Sequence, residues 1–106
     1  MTAELRLSRD ADGTQVALAV GDVVLLALPE NPTTGYRWTV DADGLDVVDE
    51  QYSVGERSAV GGAGVRTFRL IARRRGDGVV RGLLKRAWEP VNAALDRCTI
   101  RFTTAG

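Results

Sequence analysis

The chain has 106 residues, enough for one domain around one core, and its 14 basic residues equal its 14 acidic residues. Hydrophobic residues at 44% and charged residues at 26% are ordinary for a folded protein and argue against disorder. The balanced charge favours neither nucleic acid nor an anionic membrane as a partner. We therefore expect a single domain over residues 1–106, and no feature requires more than a monomer.

Two features of the composition exclude much chemistry. Histidine is absent and Cys98 is the single cysteine. Ser-His and Cys-His catalysis therefore have no base, and one thiol forms neither an internal disulfide nor a zinc site. We expect no catalytic residue, no metal and no cofactor. The first residues lack the regions of a signal peptide, and no apolar run approaches ~18 residues, so a cytoplasmic chain and a trimmed secreted chain are both compatible with the sequence.

The first half of the chain has mostly the two-residue period of strands. Alternating apolar residues occur at the start and again after the turn at Asp12-Gly13, and residues 23–28 form a continuous apolar strand. Residues 29–35 are predicted to be a loop. After it, alternate positions from Tyr36 to Val40 share one face, which predicts that Trp38 belongs to the core.

The second half continues this pattern. Residues 47–54 and 66–74 are predicted strands on either side of a glycine-rich loop, and Gly76-Asp77-Gly78 predicts a hairpin turn. Residues 82–86 are predicted as strand and 87–94 as loop, because Pro90 breaks the helical alternative. In the last strand Cys98 alternates with polar residues, which is typical of a small buried side chain. About eight short strands separated by turns predict an all-β antiparallel sandwich.

The most specific stretch lies between the third and fourth predicted strands. It reads Asn31-Pro32-Thr33-Thr34-Gly35-Tyr36. Proline fixes one backbone angle and glycine permits a positive one, so the loop is stiff at both ends. Taken alone, the stretch is equally compatible with an ordinary turn between two strands.

This hexapeptide resembles the signature of the chagasin-type inhibitors of papain-like cysteine peptidases. Members of that family are immunoglobulin-like β-sandwiches with three loops at one end, and their first loop reads NPTTG followed by Tyr or Phe. The second family loop, Gly-x-Gly-Gly, is similar to Gly61-Gly62-Ala63-Gly64. The third, Arg-Pro-Trp, is similar to Arg86-Ala87-Trp88. The second and third matches each depart from the pattern at one position, Ala63 and Ala87.

The resemblance implies an immunoglobulin-like sandwich that inhibits a papain-like cysteine protease reversibly and is not an enzyme. It also implies that the three loops occlude the cleft of the protease, with Thr33 and Thr34 near the catalytic cysteine and Trp88 as a side anchor. The implied protease-binding residues are Asn31, Pro32, Thr33, Thr34, Gly35, Tyr36, Gly61, Gly62, Ala63, Gly64, Arg86, Ala87 and Trp88.

Other interpretations stay open at this point. An immunoglobulin-like binding or adhesion module without protease inhibition would not need three cooperating loops. An enzyme would need paired carboxylates, and Asp41, Asp43, Asp46 and Glu50 lack a paired spacing, so we expect them to be solvated. A relative that has lost strong inhibition, or has another target, is the third possibility. The sequence does not name the protease.

Overall fold

The computed structural model describes residues 3–54 and 64–106. Within these ranges the chain forms strands and three short 3-10 segments, Arg9–Ala11, Pro32–Thr34 and Val91–Ala93, without an α-helix. The strands in chain order are β1 (Glu4–Ser8), β2 (Gln15–Ala19), β3 (Val23–Glu30), β4 (Arg37–Asp43), β5 (Asp46–Val54), β6 (Gly64–Ile71), β7 (Gly76–Lys85) and β8 (Asp96–Ala105).

These strands form two four-stranded sheets, in the orders β1-β3-β6-β5 and β2-β8-β7-β4. The prediction of an all-β sandwich of eight strands is therefore confirmed. Four pairings are antiparallel, whereas β1 with β3 and β2 with β8 are parallel. Strands β1 and β2 are each at the edge of a sheet, and the two sheets differ. The chain therefore crosses from one sheet to the other between β1 and β2. Periodicity alone did not reveal these parallel pairings.

The core lies between the two sheets and consists of the inward positions of alternating strands. Trp38 is 1% exposed and Cys98 is fully buried, so both sequence predictions for these residues are confirmed. The other buried apolar side chains are Leu18, Val24, Leu26, Leu28, Leu45, Phe68, Leu70, Ala72, Val80, Ile100 and Phe102.

The predicted hairpin turn at residues 76–78 is wrong. Gly76 is the first residue of β7, where it pairs with Thr104 of β8, and the preceding strand β6 belongs to the other sheet. Gly78 serves a close approach: an added Cβ would lie 2.7 Å from the Asp43 carbonyl oxygen and 2.9 Å from Leu45 Cδ1. The glycine therefore admits the turn between β4 and β5, rather than making a turn itself.

Strand β3 also continues beyond residue 28, where the sequence predicted its end. Its last residue, Glu30, is 5% exposed and pairs with Gly64 at the start of β6. A carboxylate extends the buried face of the strand because it has partners beneath the following loop.

Candidate functional site

Three connections leave the sandwich at the same end. The end of β3 pairs with the start of β6 at Glu30 and Gly64, and Gly64 also pairs with Val54 at the end of β5. In the other sheet, the start of β4 pairs with the end of β7 at Arg37 and Lys85. The first loop (residues 31–36), the second loop (55–63) and the third loop (86–95) therefore begin and end on one side of the molecule.

The first loop is held by its own polar atoms. Asn31 Oδ1 accepts hydrogen bonds from the Thr33 backbone N–H at 3.1 Å and from Thr33 Oγ1 at 2.7 Å. Thr34 Oγ1 donates to the Asn31 carbonyl oxygen at 2.8 Å and accepts from the Tyr36 N–H at 3.3 Å. The hydroxyl protons of both exposed threonines are thus donated within the loop.

A left-handed residue closes the first loop. Gly35 has φ of +82°, a backbone conformation that costs other residues about 1 kcal/mol or more. An added Cβ would meet Arg86 Nε at 3.7 Å, which is an ordinary contact, so the requirement for glycine comes from the backbone angle. This explains in physical terms why glycine follows the two threonines.

A buried ion pair lies beneath the first loop. Glu30 Oε1 accepts the Trp38 N–H at 2.6 Å, so one carboxylate joins the residues on either side of the loop. Arg66 of β6 donates from Nε to both Glu30 oxygens at 3.0 and 2.9 Å, and its Nη2 lies 2.8 Å from Glu30 Oε2. The Glu30 side chain is 1% exposed and that of Arg66 is 12% exposed, so each is the main compensation for the other's charge.

The ion pair extends into a wider network. Arg66 Nη1 donates to Glu50 Oε2 at 3.0 Å, and Arg37 Nη2 donates to the same oxygen at 3.3 Å. The hydrogen bonds from Arg66 to Glu30 raise the pKa of the Arg66 guanidinium above its usual value. Trp38 also donates from Nε1 to the Pro29 carbonyl oxygen at 2.7 Å, which ties the two sheets together at this end. Glu50, weighed above as a catalytic carboxylate, thus serves a structural ion pair.

Sequence reasoning missed Glu30 and Arg66. One signal was available: a glutamate continues the alternation of an apolar strand at an inward position. Its partner lies 36 residues further on, beyond the reach of local patterns.

The third loop begins with a closed turn. The Glu89 N–H donates to the Arg86 carbonyl oxygen at 3.0 Å, which makes a β-turn with Ala87 and Trp88 at its centre. Glu89 Oε1 accepts the Arg86 N–H at 2.9 Å, and Lys85 Nζ donates to the Glu89 carbonyl oxygen at 3.0 Å. The Trp88 side chain projects from this turn and is 78% exposed. Trp88 is therefore a surface residue, in contrast to Trp38 of the core.

Arg86 joins the first and third loops. Its Cζ lies 4.5 Å from the centre of the Tyr36 ring and 6.0 Å from that of Trp88, both within the range of cation–π contacts. The structure thus brings residues from two separate predicted motifs into contact.

The remainder of the third loop exposes further apolar surface. Val91 is 57% exposed and Leu95 is 65% exposed, although the Leu95 N–H donates to the Leu84 carbonyl oxygen at 2.7 Å and anchors its backbone. Leu95 also lines an apolar depression together with Thr34 and Tyr36 of the first loop. Neither Val91 nor Leu95 was a predicted site residue, because single exposed apolar residues are not informative in sequence.

The second loop falls between the two described ranges of the chain. Gly61, Gly62 and Ala63 lie outside the described residues. Gly64 is described: it begins β6, and an added Cβ there would collide with the Ser53 carbonyl oxygen and the Tyr52 ring. The closeness of the two strands therefore requires glycine at this position.

An all-β sandwich with a stiff uncharged loop and an exposed tryptophan at one end belongs to the class of domains that bind other proteins through end loops. The family model described as "Chagasin family peptidase inhibitor I42" matches residues 17–103. The chain therefore belongs to the chagasin family of peptidase inhibitors. It inhibits papain-like cysteine proteases and is not an enzyme, and the adhesion-module alternative is disfavoured.

Two related sequences and one solved structure are similar to this chain over most of its length. Chagasin from Trypanosoma cruzi is 24% identical over 102 residues, which cover 90% of this chain and 93% of chagasin. Amoebiasin-1 from Entamoeba histolytica is 30% identical over 91 residues, covering 81% and 86% of the two chains. The crystal structure of a cysteine protease inhibitor from Entamoeba histolytica superposes with a TM-score of 0.87, at 19% identity, over 98% of this chain and 97% of that one.

Proposed function

We propose that this inhibitor blocks papain-like cysteine proteases by placing its first loop in the middle of the cleft and its third loop along one side. The observation that carries the proposal is the contact of Arg86 with the rings of both Tyr36 and Trp88, which makes one continuous surface of two loops. The second loop, with Gly61, Gly62 and Ala63, is proposed to lie on the other side.

The first loop is suited to this role because it is preorganised. Its hydrogen bonds and the ion pair beneath it fix the conformation before binding, so little conformational entropy is lost when the protease closes around it. It carries no charged side chain between Asn31 and Tyr36, so burial in the cleft leaves no charge uncompensated.

The same geometry accounts for inhibition without cleavage. A 3-10 segment occupies residues Pro32–Thr34, and the Thr34 N–H donates to the Asn31 carbonyl oxygen at 3.3 Å. A compact turn of this kind does not offer the extended backbone that a protease aligns as substrate through main-chain hydrogen bonds. The expected inhibition is therefore reversible and occlusive.

Trp88 supplies the large side chain of the interface. Tryptophan is the residue type most enriched at binding hot spots, and this one is exposed on a turn that is already closed. Val91 and Leu95 expose further apolar surface in the same loop. The three loops together are compatible with a standard interface of about 800 Å² on the inhibitor.

A titration of papain tests the proposal. We expect residual activity to fall with increasing inhibitor, to recover on dilution, and to be competitive with a substrate peptide. The inhibitor recovered from the mixture should have its original mass. Full papain and cathepsin L-like activity at micromolar inhibitor would contradict the proposed mode of action for these targets.

A further inference from the structure

We infer that Glu89 is a positioning residue that presets the third loop through its side-chain hydrogen bond to Arg86. The inference rests on the proposed function of that loop. Its basis is the pair of hydrogen bonds between Arg86 and Glu89: the Glu89 carboxylate accepts the Arg86 N–H at 2.9 Å, and the Glu89 N–H donates to the Arg86 carbonyl oxygen at 3.0 Å.

These two bonds do for the turn what a fixed proline angle would do. Proline at the second position of a β-turn sets φ near the value that the turn needs, whereas Ala87 leaves that angle free. The carboxylate of Glu89 adds a constraint from the other end of the turn, because it holds the Arg86 N–H while the backbone holds the Arg86 carbonyl. Charge strengthens the side-chain bond relative to a neutral acceptor.

The consequence reaches both loops through Arg86. The guanidinium of Arg86 lies over the Tyr36 ring at 4.5 Å and near the Trp88 ring at 6.0 Å. Fixing the Arg86 backbone therefore fixes the direction in which the side chain crosses to the first loop, and with it the position of Trp88. Lys85 Nζ bonds the Glu89 carbonyl oxygen at 3.0 Å and holds the far side of the same turn.

Glu89 acts through its neighbours, and not by touching the protease in this scheme. Removal of its carboxylate frees the turn without shortening Trp88 or Arg86. The interface atoms are then all present, but the protease must order them at its own cost, which weakens binding by an amount comparable to the entropy of a few backbone angles.

The test compares three variants with the wild-type chain: Glu89→Ala, Glu89→Gln, and Glu89→Ala combined with Ala87→Pro. We expect Glu89→Ala to raise the inhibition constant for papain about tenfold, while Glu89→Gln, whose amide oxygen still accepts a hydrogen bond, stays within about threefold. The added proline should recover most of the loss in Glu89→Ala, and should gain less in the wild-type background. Asp41→Ala removes one carboxylate from an exposed position of β4 and controls for net charge.

Hydrogen exchange of the Arg86 amide gives a readout that does not involve the protease. Protection should fall in Glu89→Ala and return in Glu89→Gln, with the melting temperature nearly constant. If wild-type protein inhibits papain and Glu89→Ala inhibits equally well, the positioning role is refuted while the proposed function stands. If the wild-type protein fails to inhibit but exchange follows the expected order, the turn is preset by Glu89 and the proposed function is what fails. Unchanged hydrogen exchange of the Arg86 amide in Glu89→Ala refutes the positioning role of Glu89, whether or not the wild-type protein inhibits papain.

Discussion

The first and third loops reach the same end of the sandwich but are ordered in different ways. The first loop bonds to itself at several points and rests on a buried ion pair, and it closes on a glycine with φ of +82°. The third loop has a closed turn at Arg86–Glu89 and the 3-10 segment Val91–Ala93, and it exposes large apolar side chains, of which Trp88 is the largest. One loop is thus built for a fixed backbone shape and the other for a large contact area.

This difference divides the expected effects of substitutions. Changes in the first loop should act through shape and charge in a narrow space, and changes beneath it through folding stability. Changes around the third loop should act on the ordering of an anchor. The following predictions test that division, from the largest effect to the smallest.

Thr34→Lys should have the largest effect. A lysine in the middle of the cleft brings a charge that must be desolvated or displaced, at a cost of about 4 kcal/mol, which corresponds to roughly a 1,000-fold weaker inhibition constant. Folding stability should fall by no more than about 1 kcal/mol, through loss of the hydroxyl bonds to Asn31 and Tyr36. Thr39→Lys, on the exposed side of β4, is the matched control. Equal inhibition constants for both variants would contradict the proposal that the first loop enters the cleft of the protease.

Arg66→Ala should cost about 3 kcal/mol in the free energy of unfolding, measured by urea denaturation. The reason is that the buried Glu30 carboxylate loses the charged partner that Arg66 supplies, while the neutral Trp38 N–H remains. Arg69→Ala changes an exposed arginine of the same strand and should stay within about 0.5 kcal/mol of wild type. A similar decrease in the free energy of unfolding in the two variants would contradict a specific stabilising role of the Glu30–Arg66 ion pair.

Gly35→Ala and Gly13→Ala form a matched pair with nearly the same positive φ, +82° and +80°. An added Cβ meets no close atom at either site, so each variant should lose about 1 kcal/mol of stability from backbone strain. Only Gly35→Ala should weaken papain inhibition, by a few-fold, because it distorts the first loop. Equal inhibition by the two variants would argue that the shape of this loop is not read by the protease.

The smallest effect concerns pH and the ion pair at the end of the third loop. Arg9 donates to both oxygens of Asp96 at 2.8 and 2.7 Å, and these bonds lower the pKa of Asp96 below its ordinary 3.8. Because the folded pKa is below the unfolded one, this stabilisation is present above about pH 4 and is lost as pH falls through the folded value. Asp96→Asn should therefore flatten the acid dependence of unfolding, whereas the exposed Asp10→Asn should not. The same acid slope in Asp96→Asn and wild type would contradict this.

How far the sequence predicted the molecule depends on the distance over which each constraint acts. The burial of Trp38 follows from a period of two, and the stiff first loop follows from residue types that restrict φ within six positions. Glu30 was predicted to lie in a loop, because its partner Arg66 comes from another strand and leaves no mark on the local pattern. Gly78 was wrongly predicted to lie in a hairpin turn for the same reason. The residues that require glycine there belong to the turn between β4 and β5, which is distant in sequence.

Glu89 shows a different limit. Its type and position were plain in the sequence, but the direction of its side chain was not, and a glutamate beside a tryptophan at the surface is most often a solvated charge. Protease binding remains a prediction for every residue of the proposed site, and Gly61, Gly62 and Ala63 also lie outside the described residues.

The buried thiol has a practical consequence for work with this family of targets. Cys98 is fully buried near the start of β8, and burial raises the pKa of its thiol, so the reactive thiolate is suppressed near neutral pH. Reducing agents that keep a cysteine protease active therefore find no disulfide to break within this chain. Alkylating probes added to a mixture of folded protease and inhibitor should label the free protease and spare the inhibitor. The mass spectrum of the protease then gives the fraction that the inhibitor occupies, as the unlabelled share.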